Sequence, residues 1–313
     1  MYISVEGGNC MNLITTNELC KKYNKKLVID HVNMNIPEHS IYGFVGENGS
    51  GKTTIMRLLT GLAEPTSGSF SLFGVSNKDR QIYKKRESIS AIVEATSLVP
   101  TLTAKQNIRY LELYSGINLK EEERDALLKK VHLEEVGNKR VKDFSLGMRQ
   151  RLGIAMALIN KPKLMFLDEP MNGLDPEGIA ELRDLLIELN QKDGITVLIS
   201  SHILSELEKI ASCYGFISHG KLIEEITAQE LKERCRKSLM VKVDNLEKAE
   251  KALKGLNIYD YRISTSGEVK IYDSVKINKV VLALDATGVD ISAINSSEGS
   301  VEDYYLNLVK EAK

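Results

Sequence analysis

The sequence has no apolar run approaching the roughly 18–20 residues a membrane-spanning helix needs. Its opening, MYISVEGGNC, has neither a basic start nor a long apolar stretch, so nothing there reads as a secretory signal. The expectation is a protein made in the cytosol that stays there. Cysteine is sparse: Cys10, Cys20, Cys213 and Cys235 are scattered, with no CxxC pair and no zinc-like spacing. Reduced thiols of a cytosolic protein fit that pattern. Neither sign of charge is in excess. With 42 basic and 43 acidic residues the net charge is −1, which gives no whole-chain case for a nucleic-acid partner.

The chain is long, and its 313 residues exceed one typical core, so two domains are expected after an irregular leader over residues 1–11. Residues 13–45 read as short strands, LITTNEL, LVIDHVNMNI and SIYGFV, from their alternation and β-branched content. TTIMRLLTGL (53–62) sets Ile55, Leu58, Leu59 and Leu62 on one helical face, and Gly61 suits a helix stop. Residues 100–160 are mostly helical, with LKEEERDALLKKVHL carrying acids in its first turn and lysines in its last, as the helix dipole favours. Short apolar strands then alternate with helices (KLMFLDEP, EGIAELRDLLIELNQ, ITVLISSH, LSELEKIAS, YGFISHG), which indicates a buried parallel sheet. From about residue 228 the order becomes β-α-β-β-α-β-α, ending in a helix over 300–312. That is the pattern of a small split β-α-β domain without a catalytic constellation.

GENGSGKTT (46–54) fits G-x-x-x-x-G-K-[ST], with a strand before it and a helix after it. The glycines let the backbone turn tightly and aim N–H groups at phosphate oxygens, helped by the helix N-terminus. In such a cradle Gly46, Glu47, Asn48, Gly49, Ser50, Gly51, Lys52, Thr53 and Thr54 surround the phosphates. Lys52 would neutralise the β- and γ-phosphates, and the Thr53 hydroxyl would ligate Mg²⁺. KLMFLDEP (163–170) supplies the partner, a buried strand with Asp168 and Glu169 at its end, where ligands bind in such sheets. Asp168 would hold Mg²⁺ through water, and Glu169 is the candidate base for hydrolysis.

With these motifs in place the chain resembles the ATP-binding subunits of ATP-binding cassette (ABC) transporters. Between the phosphate motifs lies a helical insert, about 95–160, and near its end stands FSLGMRQRLGIAMAL. The family's form is LSGGQ; Ser145 and Gly147 match it, and Leu146 and Met148 do not. NGLDP (172–176) resembles the D-loop, with Asp175 its acid, and SSH (200–202) the switch, with His202 facing the γ-phosphate. Tyr23 matches the aromatic that stacks on adenine. A packing tyrosine, a plain helix cap at Asp175 and a strand-end histidine remain alternatives for these residues. Where the family carries a glutamine after the strand preceding the insert, this chain has Glu94, which could reach Mg²⁺ or the attacking water or be a surface glutamate.

The resemblance covers about residues 12–227, in order and spacing, and leaves 228–313 as a C-terminal accessory α+β domain. It implies a P-loop NTPase fold, α/β, with a parallel-sheet core, an N-terminal antiparallel part and the helical insert. It also implies ATP and Mg²⁺, a head-to-tail homodimer sandwiching two ATPs, and a separate transmembrane permease. The chain would sit peripherally on the cytoplasmic face of the cell membrane. Glu94, the SLGMRQ variant and the C-terminal extension are similar to the bacitracin and lantibiotic type of export ATPase. Cassettes of other transporters (drug, ion or lipid) and non-transport ABC proteins are the alternatives; against the latter, the sequence shows neither a second cassette nor sustained heptads.

Overall fold

A computed structural model describes residues 11–94, 96–264, 267–273, 275–297 and 299–311. Of the expected leader only Met11 falls within them; Ala95, at the start of the expected insert, and Ala312, at the end of the expected last helix, lie outside. The chain divides into two compact units, residues 1–228 and 229–313.

The first unit begins with β1 (Asn12–Tyr23), β2 (Lys26–Val32), β3 (Asn35–Pro37), β4 (Ile41–Val45), α1 (Lys52–Thr60), β5 (Ser67–Leu72), β6 (Val75–Ser76), α2 (Ile82–Arg86) and β7 (Ile89–Ile92). It continues through α3 (Ala104–Ser115), α4 (Glu121–Lys130), α5 (Leu146–Ala157), β8 (Leu164–Asp168), α6 (Pro176–Gln191), β9 (Thr196–Ser201), α7 (Leu204–Leu207), β10 (Cys213–Ser218) and β11 (Lys221–Thr227). An antiparallel sheet runs β2-β1-β5-β6, with β3 also on β1. The main sheet runs β11-β10-β4-β9-β8-β7 and is parallel except for its β11 edge. Its central strands IYGFV and TVLISS are buried along their whole length. Strands buried on both faces need continuous apolar runs, so they do not alternate. Because β4, β9 and β8 are parallel neighbours, their C-terminal ends emerge side by side. This is where the sheet presents its site.

Helix α1 ends at Thr60, and Gly61 takes the left-handed conformation at φ 86°. Ile55, Leu58 and Leu59 are fully buried as expected, but Leu62 lies past that turn and is 70% exposed. The reversal at Gly61 takes Leu62 off the helical face the spacing assigned it. LSELEKIAS forms only one helical turn, α7. In the insert, α3 starts with a capping box between Thr103 and Gln106 and stops at left-handed Gly116. Glu112 is fully buried on α3, where Arg124 (2.7 Å) and Arg109 (2.8 Å) hold its carboxylate. Arg151 ties α5 to its surroundings, donating to the carbonyls of Val131 (3.2 Å) and His132 (3.0 Å) and pairing with Glu181 on α6 (3.1 Å).

Helix α8 (Ala228–Arg234) leads into the second unit. There β12 (Ser238–Val243), α9 (Leu246–Gly255), β13 (Tyr261–Ile263), β14 (Glu268–Ile271), α10 (Ile277–Ala286), β15 (Ile291–Ser297) and α11 (Val301–Glu311) follow in the order that the sequence alternation predicts. The sheet β13-β14-β12-β15 is antiparallel throughout. Leu239, Val241, Val269 and Ile271 pack one face of it against Ala252 and Leu253 of α9 and Val280 and Leu284 of α10.

Candidate functional site

The turn between β4 and α1 is shaped by glycines whose constraints differ. A Cβ on Gly46 would lie 2.5 Å from both the Ile217 carbonyl and Ser50 Oγ, so that position has no room for a side chain. Gly51, at φ 115°, is in a backbone region that L-residues avoid. The β10–β11 turn braces the loop from behind, with Gly220 N–H donating to the Ser50 carbonyl at 2.9 Å. Lys52 is 5% exposed and folds back over the loop, donating to the carbonyls of Gly46 (2.6 Å) and Glu47 (3.3 Å).

Strand β8 brings its acids to the same place. Thr53 Oγ1 donates to Asp168 Oδ2 at 2.7 Å, and Ser200 Oγ donates to Asp168 Oδ1 at 2.6 Å. Glu169 sits at φ 49°, a left-handed position uncommon for a residue with a side chain. Its N–H donates to Ser200 Oγ (2.8 Å), its Oε2 is 2.8 Å from His202 Nδ1, and its Oε1 is 3.3 Å from Lys52 Nζ. Lys52, Thr53, Asp168, Glu169 and His202, which the motifs named separately, therefore form one connected cluster. Ser200 stood in the sequence only as the first residue of the SSH motif, without a role, and its role arises because β9 lies beside β8 in a register that sets Ser200 opposite Asp168.

One buried polar atom in this cluster, Ser50 Oγ, has no hydrogen-bond partner among the described residues, and Glu169 Oε1 has only its ion pair with Lys52. Buried polar atoms are rarely left unpaired. The Ser50 hydroxyl suits a phosphate oxygen, and the Thr53 hydroxyl and Asp168 carboxylate oxygen, 2.7 Å apart, suit a hard, oxygen-seeking cation beside it.

The other expected residues lie elsewhere. Tyr23 ends β1, 41% exposed, with Lys21 Nζ 5.0 Å from its ring centroid. The Glu94 carboxylate, 60% exposed at φ 71°, pairs with Arg57 of α1 and makes no hydrogen bond or ion pair with Thr53, Asp168 or Glu169 among the described residues. Ser145 is the N-cap of α5, its hydroxyl accepting from Met148 N–H at 3.2 Å. Leu152 and Ile154 are buried in the core, while Leu146, the first helical residue of α5, is 46% exposed. A Cβ on Gly173 would lie 3.2 Å from Leu146 Cδ2, and one on Gly147 would lie 3.7 Å from Gly178 Cα, so the start of α5 packs on the loop before α6. In that loop Asp175 caps α6, accepting from Gly178 N–H at 3.0 Å.

The sequence model of the family described as "ABC transporter" matches residues 29–172. The bacitracin transport ATP-binding protein BcrA of Bacillus licheniformis is 40% identical over 304 residues, covering 95% of this chain and 97% of that protein. The lantibiotic transport ATP-binding protein SrtF of Streptococcus pyogenes is 46% identical over 213 residues, covering 68% of this chain and 90% of that protein. Among solved structures, the dimeric post-hydrolysis state of the ATP-binding cassette MJ0796 with ADP and Pi superimposes with a TM-score of 0.61. It is 28% identical and covers 69% of this chain and 98% of that one. CbiO1 of Clostridium perfringens, part of the ABC transporter complex cbiONQ, gives a TM-score of 0.64 at 26% identity, covering 79% and 96%. The chain belongs to the ABC transporter ATP-binding proteins, and the cluster lies in an ATPase whose hydrolysis is coupled to transport. Among the described residues no helix is long and apolar enough to cross a membrane.

Proposed function

We propose that this chain energises export of a peptide antibiotic of the bacitracin or lantibiotic kind, through a separate membrane permease. The observation that carries the proposal is the 40% identity to a bacitracin transport ATP-binding protein along 95% of the chain. Residues 12–227 form the ATPase domain in this reading and 228–313 an accessory domain, with the chain peripheral on the cytoplasmic face of the membrane.

Residues 46–54 cradle the triphosphate, Lys52 exchanging its loop carbonyls for phosphate oxygens. Thr53 directly and Asp168 through water would hold Mg²⁺, which would supply neutralising charge on the phosphates. Glu169 accepts the proton of the attacking water, and His202, 2.8 Å from Glu169 Oε2, orients that carboxylate and faces the γ-phosphate. Tyr23 offers its ring to the adenine. A second copy of the chain completes each site: the Ser145 hydroxyl and the Gly147 N–H, at the N-terminus of α5, face the phosphates bound by the partner, beside Asp175. The packing of Leu146 against Gly173 supports this, because it makes the α5 start and the Asp175 loop one surface. Glu94 and the insert lie between ATP and the permease. On α3 the insert exposes Tyr110, Leu113 and Tyr114 at helical spacing, an apolar stripe suited to burial against another subunit.

Cells carrying the chain with its permease should tolerate more bacitracin or lantibiotic than cells carrying the Glu169→Gln chain. Equal susceptibility to both peptides, with ATP hydrolysis intact in the unaltered chain, would overturn the substrate class and leave the ATPase standing.

A further inference from the structure

The second unit has a sheet face that α9 and α10 do not cover. Alternation along the strands turns Leu239, Val241, Val269 and Ile271 to the packed side, so Met240, Lys242 and Lys270 lie on the other. Register aligns Arg262 with Lys270, Lys270 with Met240, and Met240 with Asn295, so one row crosses all four strands. Tyr272 follows directly on the end of β14. The Arg236 guanidinium lies 4.8 Å from its ring centroid and the Arg262 guanidinium 5.9 Å.

The charges on this face do not cancel evenly. Asp260 pairs with Arg236, which also lies 3.7 Å from Glu233. Glu268 stands opposite Lys242 in the register. Asp273 is used in its own turn, accepting from the N–H groups of Tyr259 and Asp260. Arg262 and Lys270 remain, both exposed, directly opposed across two strands, with no acidic partner among the described residues. Like charges in that position destabilise a sheet. A shared anion between them reverses the sign of the effect, and the fork of an arginine beside the point charge of a lysine suits a phosphate.

We propose that this face is an anion site in which Arg262 and Lys270 together bind a phosphate group, with the Tyr272 ring positioning the Arg262 guanidinium. A lipid headgroup and a soluble phosphate compound present the same chemistry to these side chains, and two probes separate the sources. The full chain is tested for co-sedimentation with vesicles of phosphatidylcholine containing phosphatidylglycerol, against phosphatidylcholine alone. It is titrated separately with inorganic pyrophosphate. Each probe is read as the difference between the unaltered chain and a variant, so the phosphate loop contributes equally to both.

Lys270→Glu should weaken binding of at least one probe by about tenfold or more, leave the basal ATPase rate unchanged, and not lower the melting temperature, since it places opposite charges across the strands. Loss confined to the vesicles identifies a headgroup; loss with pyrophosphate identifies a soluble phosphate. Lys242→Glu, on the same face but opposite Glu268, should have a much smaller effect. The site is overturned if the unaltered chain binds neither probe, if Lys270→Glu and Arg262→Glu both bind as it does, or if Lys242→Glu is equally damaging, which would mean diffuse attraction.

Discussion

Lys52 and Glu169 face each other at 3.3 Å across the phosphate loop, the lysine almost wholly buried and the glutamate one-fifth exposed. The pair sets the negative charge of the proposed base against the cation proposed to receive the nucleotide. Replacing Glu169 by Gln should therefore separate two functions. Hydrolysis should fall by roughly 10²–10⁴-fold, the range of one positioned general base, while ATP binding holds or tightens, because a carboxylate near the γ-phosphate is gone. Turnover and equilibrium nucleotide binding on the same preparation check this. Undiminished hydrolysis would remove Glu169 from the role. Lys52→Ala should instead lose nucleotide binding.

Asp168 is held on both oxygens, by Thr53 and by Ser200. If Thr53 and Asp168 ligate Mg²⁺, chelation should abolish hydrolysis and added Mg²⁺ should restore it. Thr53→Ala should then need about tenfold more Mg²⁺ for half-maximal turnover, the scale on which lost support at a metal site is felt. Ser200→Ala should shift the same titration in the same direction. An unchanged Mg²⁺ requirement in both variants would argue against metal binding there.

Much of this cluster was legible because its chemistry is local in sequence. The phosphate loop needs glycines at fixed offsets from Lys52, and Asp168 and Glu169 follow directly on an apolar strand. The contact of Ser200, the first residue of SSH, with Asp168 was not legible, because it depends on which strand neighbours β8 and in what register. The same limit hid the partner of Glu94. The sequence shows a glutamate after a strand, but only the fold brings Arg57 of α1 against it. Leu62 was misplaced by a periodicity that ran past a left-handed glycine. At Leu146 the chain departs from the family's glycine, yet the position is an ordinary first helical residue, so no backbone strain follows. In the second unit, alternation gave the order of the elements, whereas the opposition of Arg262 and Lys270 follows only from strand register.

Gly215 and Tyr42 make a close contact between two core strands. A Cβ at position 215 would lie 1.9 Å from the Tyr42 hydroxyl oxygen, which donates to Glu225 at 2.8 Å. Burial, reinforced by Glu225, pushes the Tyr42 phenol well above its ordinary range, so it stays a neutral donor. Gly215→Ala should destabilise the first unit by about 1–3 kcal/mol through overpacking. Urea unfolding would measure it, and adding Tyr42→Phe should recover part of the loss by removing the oxygen that clashes. A Gly215→Ala chain as stable as the original would mean the strands separate freely at this point.

Glu112 provides a pH-dependent prediction for the helical insert. Its carboxyl is held below the usual carboxylate range, chiefly by hydrogen bonding to Arg124, against the opposing effect of burial, with Arg109 adding to the lowering. An unfolded chain returns this group to its ordinary value of about 4.3. Because the folded value is the lower one, the unfolded state takes up the proton first. The contribution to stability is therefore complete above the unfolded value and is lost as pH falls through the folded one. The unaltered protein should lose stability as pH drops below about 5, partly through this group. Glu112→Gln should be less stable at pH 7, where the arginines lose their buried counter-charge, and should show a shallower decline on acidification. Urea midpoints for both proteins at neutral pH and across the acid range would test this. Parallel declines would mean that Glu112 does not set the acid sensitivity of the insert.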